Sequence, residues 1–273
     1  MREHPLDGVR GKIERAWEHQ KKLRAEIKAF EAAKPYSVSV VFDPGSRWHV
    51  ARLRVAAEPP LRLSIIAGEM AYEYISALNH VAWELAARKL GQKRAWACRM
   101  RVQFPATLTP SEFDKQALAK ERLVSKKALS VMRELQPYTG RDGQEGARRH
   151  SLWLLKELAD SDKHRVLAPM ISSLVLRELE YDWDNPTRAD EFKIERLLRP
   201  GQRLYDGKAL GRIRFSAGND EANVSVRHGE IPIDVLFGTK DWMLTTNDLG
   251  NAHAFMTRAL KALEPLFPAR PTR

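Results

Sequence analysis

Two segments of the sequence each place histidine and carboxylate side chains on one face of a predicted helix. The first segment contains Glu69, Glu73, Ser76 and His80. At about 100° per residue, these four side chains lie within about 60° of one another on an α-helix. Neighbouring carboxylate and imidazole groups change each other's protonation, so this stripe suits acid or base chemistry. The alternative interpretation is that the stripe is simply the side of the helix that meets water.

The second segment ends a later predicted helix. Its polar face consists of His150, Trp153, Glu157, Asp160 and His164, which the same construction places within about 80°. A structural explanation exists here too, because cations in a last helical turn interact with exposed carbonyls and surface ion pairs contribute little. However, the charged run is followed directly by two apolar residues. Part of the cluster should therefore lie near the interior, where a histidine beside an aspartate would have a shifted protonation equilibrium.

Facing carboxylates and histidines also raise the possibility of a metal site. Helical bundles build such sites from inward-facing Glu and His side chains, and the residues of this alternative are Glu69, Glu73, His80, Glu157 and His164. The Glu-x-x-His spacing of di-iron bundles is absent, since each nearest Glu precedes its His by seven residues. We therefore expect no metal and no other cofactor, and we keep the metal set as an alternative.

The net charge of +11 is concentrated in one part of the chain. Residues 88–149 contain fifteen Lys and Arg against six Asp and Glu. A positive field of this kind favours RNA or another polyanion, because neutralising phosphates releases counterions. A uniformly basic surface without a specific partner is the alternative explanation. Trp96, Phe104 and Tyr138 lie among these cations and are candidates for base stacking.

Several sequence features are missing, and their absence limits the cellular compartments and the classes of function that we expect. The single cysteine, Cys98, excludes an internal disulfide framework, and the sequence shows neither a signal-like apolar run at its beginning nor a stretch long enough to span a bilayer. We expect a soluble, cytoplasmic protein that does not bind membranes. No Gly-rich phosphate loop, Gly-x-Ser-x-Gly elbow, His-Glu-x-x-His or cysteine cluster is present, which disfavours nucleotide-dependent, serine-hydrolase and zinc-finger functions.

Hydrophobic periodicity and turn residues divide the chain into helices and strands. Helices are predicted at residues 8–32, 61–90, 110–122, 125–135, 147–164 and 248–264. A hairpin is predicted at 36–56, with an Asp-Pro-Gly-Ser turn, and further strands at 170–179, 212–216, 223–226 and 231–237. Two prolines end the hairpin, and Gly91 supplies a stop for the long helix.

These elements predict an α+β fold, a bundle of about five helices packed with a small antiparallel β-sheet. The helical core spans about 61–165, the hairpin and the strands of about 170–238 form the sheet, and the helix at 248–264 closes the chain. A chain of 273 residues with 43% hydrophobic composition can bury a sizeable core. We expect a single compact domain over residues 1–273.

Four short motifs resemble a family of uncharacterised bacterial proteins of similar length. They are Ala-Leu-Asn-His at 77–80, Gln-Phe-Pro at 103–105, Leu-Gln-Pro-Tyr at 135–138 and the Asp-Lys-His-Arg that ends residues 157–165. Members of the family carry Ala-Leu-Asp-His where this chain has Asn79. The resemblance spans about residues 60–240 and implies a shared fold without an established activity.

More distantly, a helical bundle with a polar residue before a histidine is similar to the HEPN superfamily, whose active members are metal-independent ribonucleases. Their motif is an Arg four to six residues before a His. In this chain Ile75 lies five residues before His80, and residue 73 is Glu. The resemblance therefore implies either that the phosphate-binding cation comes from elsewhere or that the scaffold lacks the activity.

The resemblance gives the leading hypothesis, a HEPN-like protein that binds RNA and is a candidate metal-independent ribonuclease. In it, His80 and His164 act as acid and base, Asp160 orients one of them, and Lys163 or Arg165 holds phosphate. The superfamily also implies a homodimer, since such sites often form across two chains. The main rival is a non-catalytic interaction module of a bacterial defence or toxin–antitoxin system.

Overall fold

The computed structural model describes most of the chain, and it has an α+β fold as predicted. The described residues are 4–140, 143–164, 169–173, 180–183, 192–197, 202–215, 223–227, 233–239 and 242–267. They form two compact units: the first comprises residues 1–25, 61–168 and 237–273, and the second comprises 26–60 and 169–236. The single domain expected from the sequence stays a prediction.

The described helices carry most of the first unit. They are α1 (Asp7–Ala32), α2 (Leu61–Leu90), α3 (Gln92–Ala97), α4 (Pro110–Lys120), α5 (Lys126–Glu134), α6 (Gly143–Arg149), α7 (Ser151–Asp162) and α8 (Thr246–Leu263). The long central helix α2 has the predicted bounds. Gly91 follows it with a φ of 81°, a left-handed conformation that glycine adopts without strain.

One predicted helix is two helices in the structure. The sequence predicted a continuous helix at 147–164, whereas α6 ends at Arg149 and α7 begins at Ser151. His150 lies between them in an extended conformation, and its Nδ1 accepts a hydrogen bond from the Leu152 N–H at 3.2 Å. Histidine is not a favoured N-cap residue, so the periodicity alone did not reveal the break.

The core of the first unit forms where α2 meets its neighbours. α2 is buried over much of its circumference and packs against α3 and α7, and α7 packs against α8. Tyr74, fully buried on α2, donates its hydroxyl to Gln20 Oε1 of α1 at 3.1 Å and lies 3.1 Å from His253 Nδ1 of α8. Among the described residues, no helix combines the length and the apolarity needed to cross a bilayer.

The second unit is built on an antiparallel sheet. Its four strands, in spatial order, are β1 (Tyr36–Asp43), β2 (Trp48–Val55), β6 (Ala209–Phe215) and β5 (Phe192–Arg196). The predicted hairpin is β1 and β2, and the Asp43 carboxylate accepts from Gly45 N and Ser46 Oγ in its turn. The remaining described strands of the chain are β3 (Met170–Ser173), β4 (Glu180–Trp183), β7 (Val224–Arg227), β8 (Ile233–Gly238) and β9 (Met243–Leu244). Of these, β9 belongs to the first unit.

The smaller strand pairs are also antiparallel. β3 pairs with β8, β4 pairs with β7, and the end of β8 pairs with β9. Tyr181 of β4 and Val224 of β7 share a buried cluster with Ile213 and Phe215 of β6. The sequence missed β4, β5 and β9, and the predicted strand residues 174–179, 216 and 231–232 lie outside the described residues.

Candidate nucleic-acid interface

The packing of α7 on α2 determines which predicted site residues can meet. At the C-terminal end of α7, Asp162 lies directly over Gly68, where an added Cβ would be 2.3 Å from the Asp162 Cγ. Further back on α7, Leu152 lines a cleft together with Leu78 and Asn79 of α2. The two helices therefore run antiparallel, and the absence of a side chain at residue 68 permits the close approach.

A loop at residues 102–109 is held across the end of this helix pair. Asn79 Oδ1 accepts a hydrogen bond from the Phe104 N–H at 2.9 Å. The buried Gln136 side chain accepts from Thr107 N at 3.0 Å and donates to the Pro105 carbonyl at 3.0 Å. The motifs at 77–80, 103–105 and 135–138 thus have a common structural role, because they fix the same loop.

Lys120, at the end of α4, holds the loop from its other side. Its Nζ donates to the carbonyl of Gln103 at 3.0 Å and lies 3.5 Å from the carbonyl of Arg101. Burial lowers the pKa of Lys120 below its usual value, because a charged ammonium is less stable away from water. The side chain is therefore a cation in the wall of the cleft that carbonyl groups hold in place.

The cleft lies between α2, the loop, α4 and α7, and it has an empty volume of about 730 Å³ that includes space open to solvent. Its lining residues are Ile75, Leu78, Asn79, Gln103, Phe104, Ala106, Gln116, Lys120, Leu152, Lys156, Asp160 and Lys163. Three of these residues are lysines and one is an aspartate. The wall is therefore positively charged overall, with an apolar floor from α2 and the loop.

Asp160 organises two of the three lysines. Its carboxylate is 2.8 Å from Lys163 Nζ and 3.2 Å from Lys156 Nζ. Although partial burial opposes it, the hydrogen bonds from these two lysines keep the pKa of Asp160 below its usual value. Lys156 is further positioned by Trp153, whose ring centroid is 4.9 Å from its Nζ. Asp160 therefore contacts lysines and not a histidine among the described residues.

The part of the chain after α2 carries an exposed aromatic side chain beside a cation. Trp96 of α3 is 62% exposed, and the Arg99 guanidinium lies 4.8 Å from its ring centroid. Of the other aromatic residues predicted to stack bases, Phe104 is buried and Tyr138 is partly buried with an enclosed hydroxyl. Only Trp96 of these three presents most of its ring to solvent.

The predicted carboxylate stripe of α2 contacts α1. Glu73 Oε2 is 2.8 Å from Lys12 Nζ, and Glu69 Oε2 is 3.4 Å from His19 Nδ1. Both partners belong to the polar flank of α1. The stripe thus packs along a neighbouring helix, while the cleft forms on a different side of α2, around Ile75, Leu78 and Asn79.

The structure does not bring His80 and His164 together within one chain. Asp162, two residues before His164, contacts α2 at Gly68, and His80 lies twelve residues further along α2. At a rise of about 1.5 Å per residue, this corresponds to about 18 Å along the helix axis. His164 is exposed at the end of α7, and Arg165 lies outside the described residues. The catalytic roles stay predictions.

The alternative metal set does not converge either. Glu157 contacts Lys156 at 3.4 Å, while Glu69 and Glu73 contact α1. Throughout the described part of the chain, no three His, Cys, Asp or Glu side chains are grouped as metal ligands would be. The reason is geometric, because the polar faces of α2 and α7 point to different neighbours.

The sequence interpretation missed Asn79, Lys120 and Lys156 as cleft residues. Asn79 lies within the motif at 77–80, in which His80 was the predicted functional residue. No family model, curated protein or solved structure matches this chain. The resemblance to the bacterial family and to the HEPN superfamily therefore rests on the motifs and stays a prediction.

Proposed function

We propose that the chain is an RNA-binding protein that holds a single strand in the cleft between α2, α4 and α7. The observation that carries the proposal is the convergence of Lys120, Lys156 and Lys163 on one cleft that Asp160 alone supplies with a carboxylate. Ammonium groups attract backbone phosphates, and the release of counterions makes such binding favourable. Part of the cleft is open to solvent, as the entry of a strand requires.

Trp96 and Arg99 supply the second part of the proposal. Base stacking on an exposed aromatic ring contributes about 1–3 kcal/mol per base, and 62% of Trp96 is exposed. The adjacent Arg101 and Gln103 contact Lys120 of the cleft through their carbonyls. In this proposal, a base of the strand beyond the cleft stacks on Trp96. A cytoplasmic location belongs to the same proposal.

Binding is tested by the fluorescence anisotropy of a labelled 2′-O-methyl oligouridylate, which resists cleavage, with full-length protein. We expect Lys156→Gln to weaken binding and to reduce the salt dependence by about one phosphate contact, a slope of about 0.7 for a single strand. Lys22→Gln, at an exposed lysine of α1, is the charge-matched control. Equal effects of the two substitutions would refute the cleft as the binding site.

The stacking role has its own pair of variants. Trp96→Leu removes the aromatic ring and should weaken binding about tenfold, whereas Trp96→Phe keeps a ring and should retain most of the affinity. The side chain is exposed, so neither substitution is expected to change the fold. Equal affinities for the two variants would show that Trp96 does not stack on the strand.

Cleavage is a separate part of the proposal and is tested separately. Because His80 and His164 lie far apart in one chain, a shared acid–base pair would need two chains, and the catalytic version therefore includes a homodimer. The assay is cleavage of a mixed RNA pool in excess chelator by wild type, His80→Ala and His164→Ala of matched thermal stability. Loss of cleavage in both variants would support the ribonuclease. No cleavage by the wild type would contradict it and would favour a binding protein or an interaction module.

A further inference from the structure

Three cations surround one tryptophan on the sheet of the second unit. The ring centroid of Trp48 lies 4.3 Å from the guanidinium carbon of Arg212, 5.0 Å from that of Arg214 and 5.9 Å from Lys193 Nζ. Trp48 is only 6% exposed, so these side chains cover the ring. The contacts are cation–π interactions, which align the cations over an apolar surface.

The strand register explains why these side chains share a face. Arg214 is directly opposite Lys193, and Arg212 is directly opposite Glu195, in the β5–β6 pair. On the other side, Arg212 is opposite Val50 of β2, so continuing that register places Trp48 beside Arg214. Side chains at alternate positions point to the same side of a sheet, and these residues therefore form two adjacent rows.

The charges in these rows are not balanced. Glu195 pairs with both Lys193, at 2.6 Å, and Arg212, and hydrogen bonds from these two cations keep its pKa below the usual value. Asp43, opposite Trp48 on β1, uses its carboxylate in the hairpin turn. Arg214 is exposed and forms no ion pair with any described carboxylate. Within the described part of these strands, one carboxylate therefore lies among three cations.

Like charges placed directly opposite each other on neighbouring strands destabilise a sheet. Arg214 and Lys193 are such a pair, and Lys193 is 64% exposed. A local arrangement that disfavours the isolated fold is expected where a ligand supplies the missing charge. Guanidinium groups favour phosphate oxygens in particular, because their planar fork matches them with two hydrogen bonds.

We propose that this face, consisting of Trp48, Lys193, Arg212 and Arg214, binds the phosphate groups of a nucleic-acid strand. Arg214 and Lys193 contact the phosphates, Arg212 adds charge beside them, and Trp48 holds the two guanidinium groups in position. The site lies wholly within the second unit. It shares no residue with the lysine cleft, and the proposal stands whether or not the cleft binds RNA.

The first test uses the full-length chain, a labelled 2′-O-methyl oligouridylate and a salt titration. Substituting Arg214→Gln and Lys193→Gln together should remove two phosphate contacts and reduce the slope of log affinity against log salt by about 1.4. Lys28→Gln, at an exposed lysine of the same unit, should change affinity and slope far less. The proposal is overturned if the double variant, normalised for its two charges, behaves like Lys28→Gln.

A gain of affinity provides a test that misfolding cannot imitate. Glu195→Gln removes the carboxylate from the face while keeping the shape of the side chain, so binding should tighten several-fold. Unchanged or weaker binding contradicts the proposal.

Lys156→Gln in the cleft distinguishes the two sites, because its effect should add to that of the sheet variant. Competition with inorganic phosphate identifies the ligand source: strong competition at low concentration would indicate a single-phosphate ligand and overturn the nucleic-acid assignment.

Discussion

The contact between Asp162 and Gly68 predicts that one added methyl group on α2 destabilises the fold, even though alanine favours helices more than glycine does. A Cβ added at Gly68 would lie 2.3 Å from the Asp162 Cγ and 2.5 and 2.6 Å from its carboxylate oxygens. Overpacking of this kind costs about 1–3 kcal/mol. The helix propensity of alanine returns about 1 kcal/mol, so we expect Gly68→Ala to lower the free energy of unfolding by about 1 kcal/mol.

The sign of this effect should reverse when the carboxylate is removed. In an Asp162→Ala background the space over residue 68 is open, and Gly68→Ala should then raise the free energy of unfolding by about 1 kcal/mol through helix propensity alone. The double-mutant cycle thus predicts a coupling free energy of about 2 kcal/mol. An Asp162→Asn background keeps the shape of the side chain without its charge, and there the penalty should persist.

The measurement is urea unfolding of the wild type and all the variants at neutral pH, followed by circular dichroism and fluorescence and analysed where the two transitions coincide. If Gly68→Ala stabilises the wild type by the full amount expected from helix propensity, Asp162 is not held against α2. A penalty that disappears in the Asp162→Asn background would instead identify charge, and not volume, as the cause. The first result would refute both the steric reasoning and the antiparallel register, whereas the second would refute the steric reasoning alone.

Two further predictions concern buried polar groups. Burial lowers the pKa of His150 to about 4. As the pH falls below about 6.5, the unfolded chain therefore binds a proton at this histidine that the folded chain does not. The free energy of unfolding should decrease towards pH 4 by at most about 3 kcal/mol. His150→Asn keeps an N-cap acceptor and should abolish this decrease, and parallel stability–pH curves for the two proteins would contradict it. Tyr74→Phe leaves the buried Gln20 oxygen without its donor and should cost about 1–3 kcal/mol in urea unfolding. Tyr72→Phe, at a side chain that is 51% exposed, should change stability by less than about 0.5 kcal/mol, and similar losses in both variants would argue against the buried hydrogen bond.

The helices and strands whose bounds depend on nearby turn and helix-ending residues were predicted from the sequence. The bounds of α2 follow from the prolines before it and Gly91 after it, and the β1–β2 hairpin follows from alternation and turn residues. The short strand β5 escaped prediction because it mixes apolar and charged residues without a buried face of its own. The break between α6 and α7 escaped because it depends on a histidine N-cap, for which no sequence preference exists.

The candidate site shows where periodicity ceases to be informative. A helical repeat of 3.6 residues groups the side chains that share a face, and it correctly grouped Glu69 with Glu73. It does not specify which neighbour that face meets, and here the neighbour is α1. Asp160 was identified as a site residue, and its contacts with Lys156 and Lys163 are i,i+4 and i,i+3 pairs that helical spacing indicates. Spacing does not indicate that Lys120 of α4 lines the same cleft.

The α+β class, the long central helix, the hairpin and the excess of positive charge after α2 can all be predicted from the sequence. These properties follow from composition and from contacts between residues close together in the chain. Two arrangements are visible in the folded chain alone: Lys120 lines one cleft with Lys156 and Lys163, and Arg214 is opposite Lys193 beside Trp48. Those arrangements depend on helix register and strand pairing, which residues far apart in sequence establish only when the chain folds.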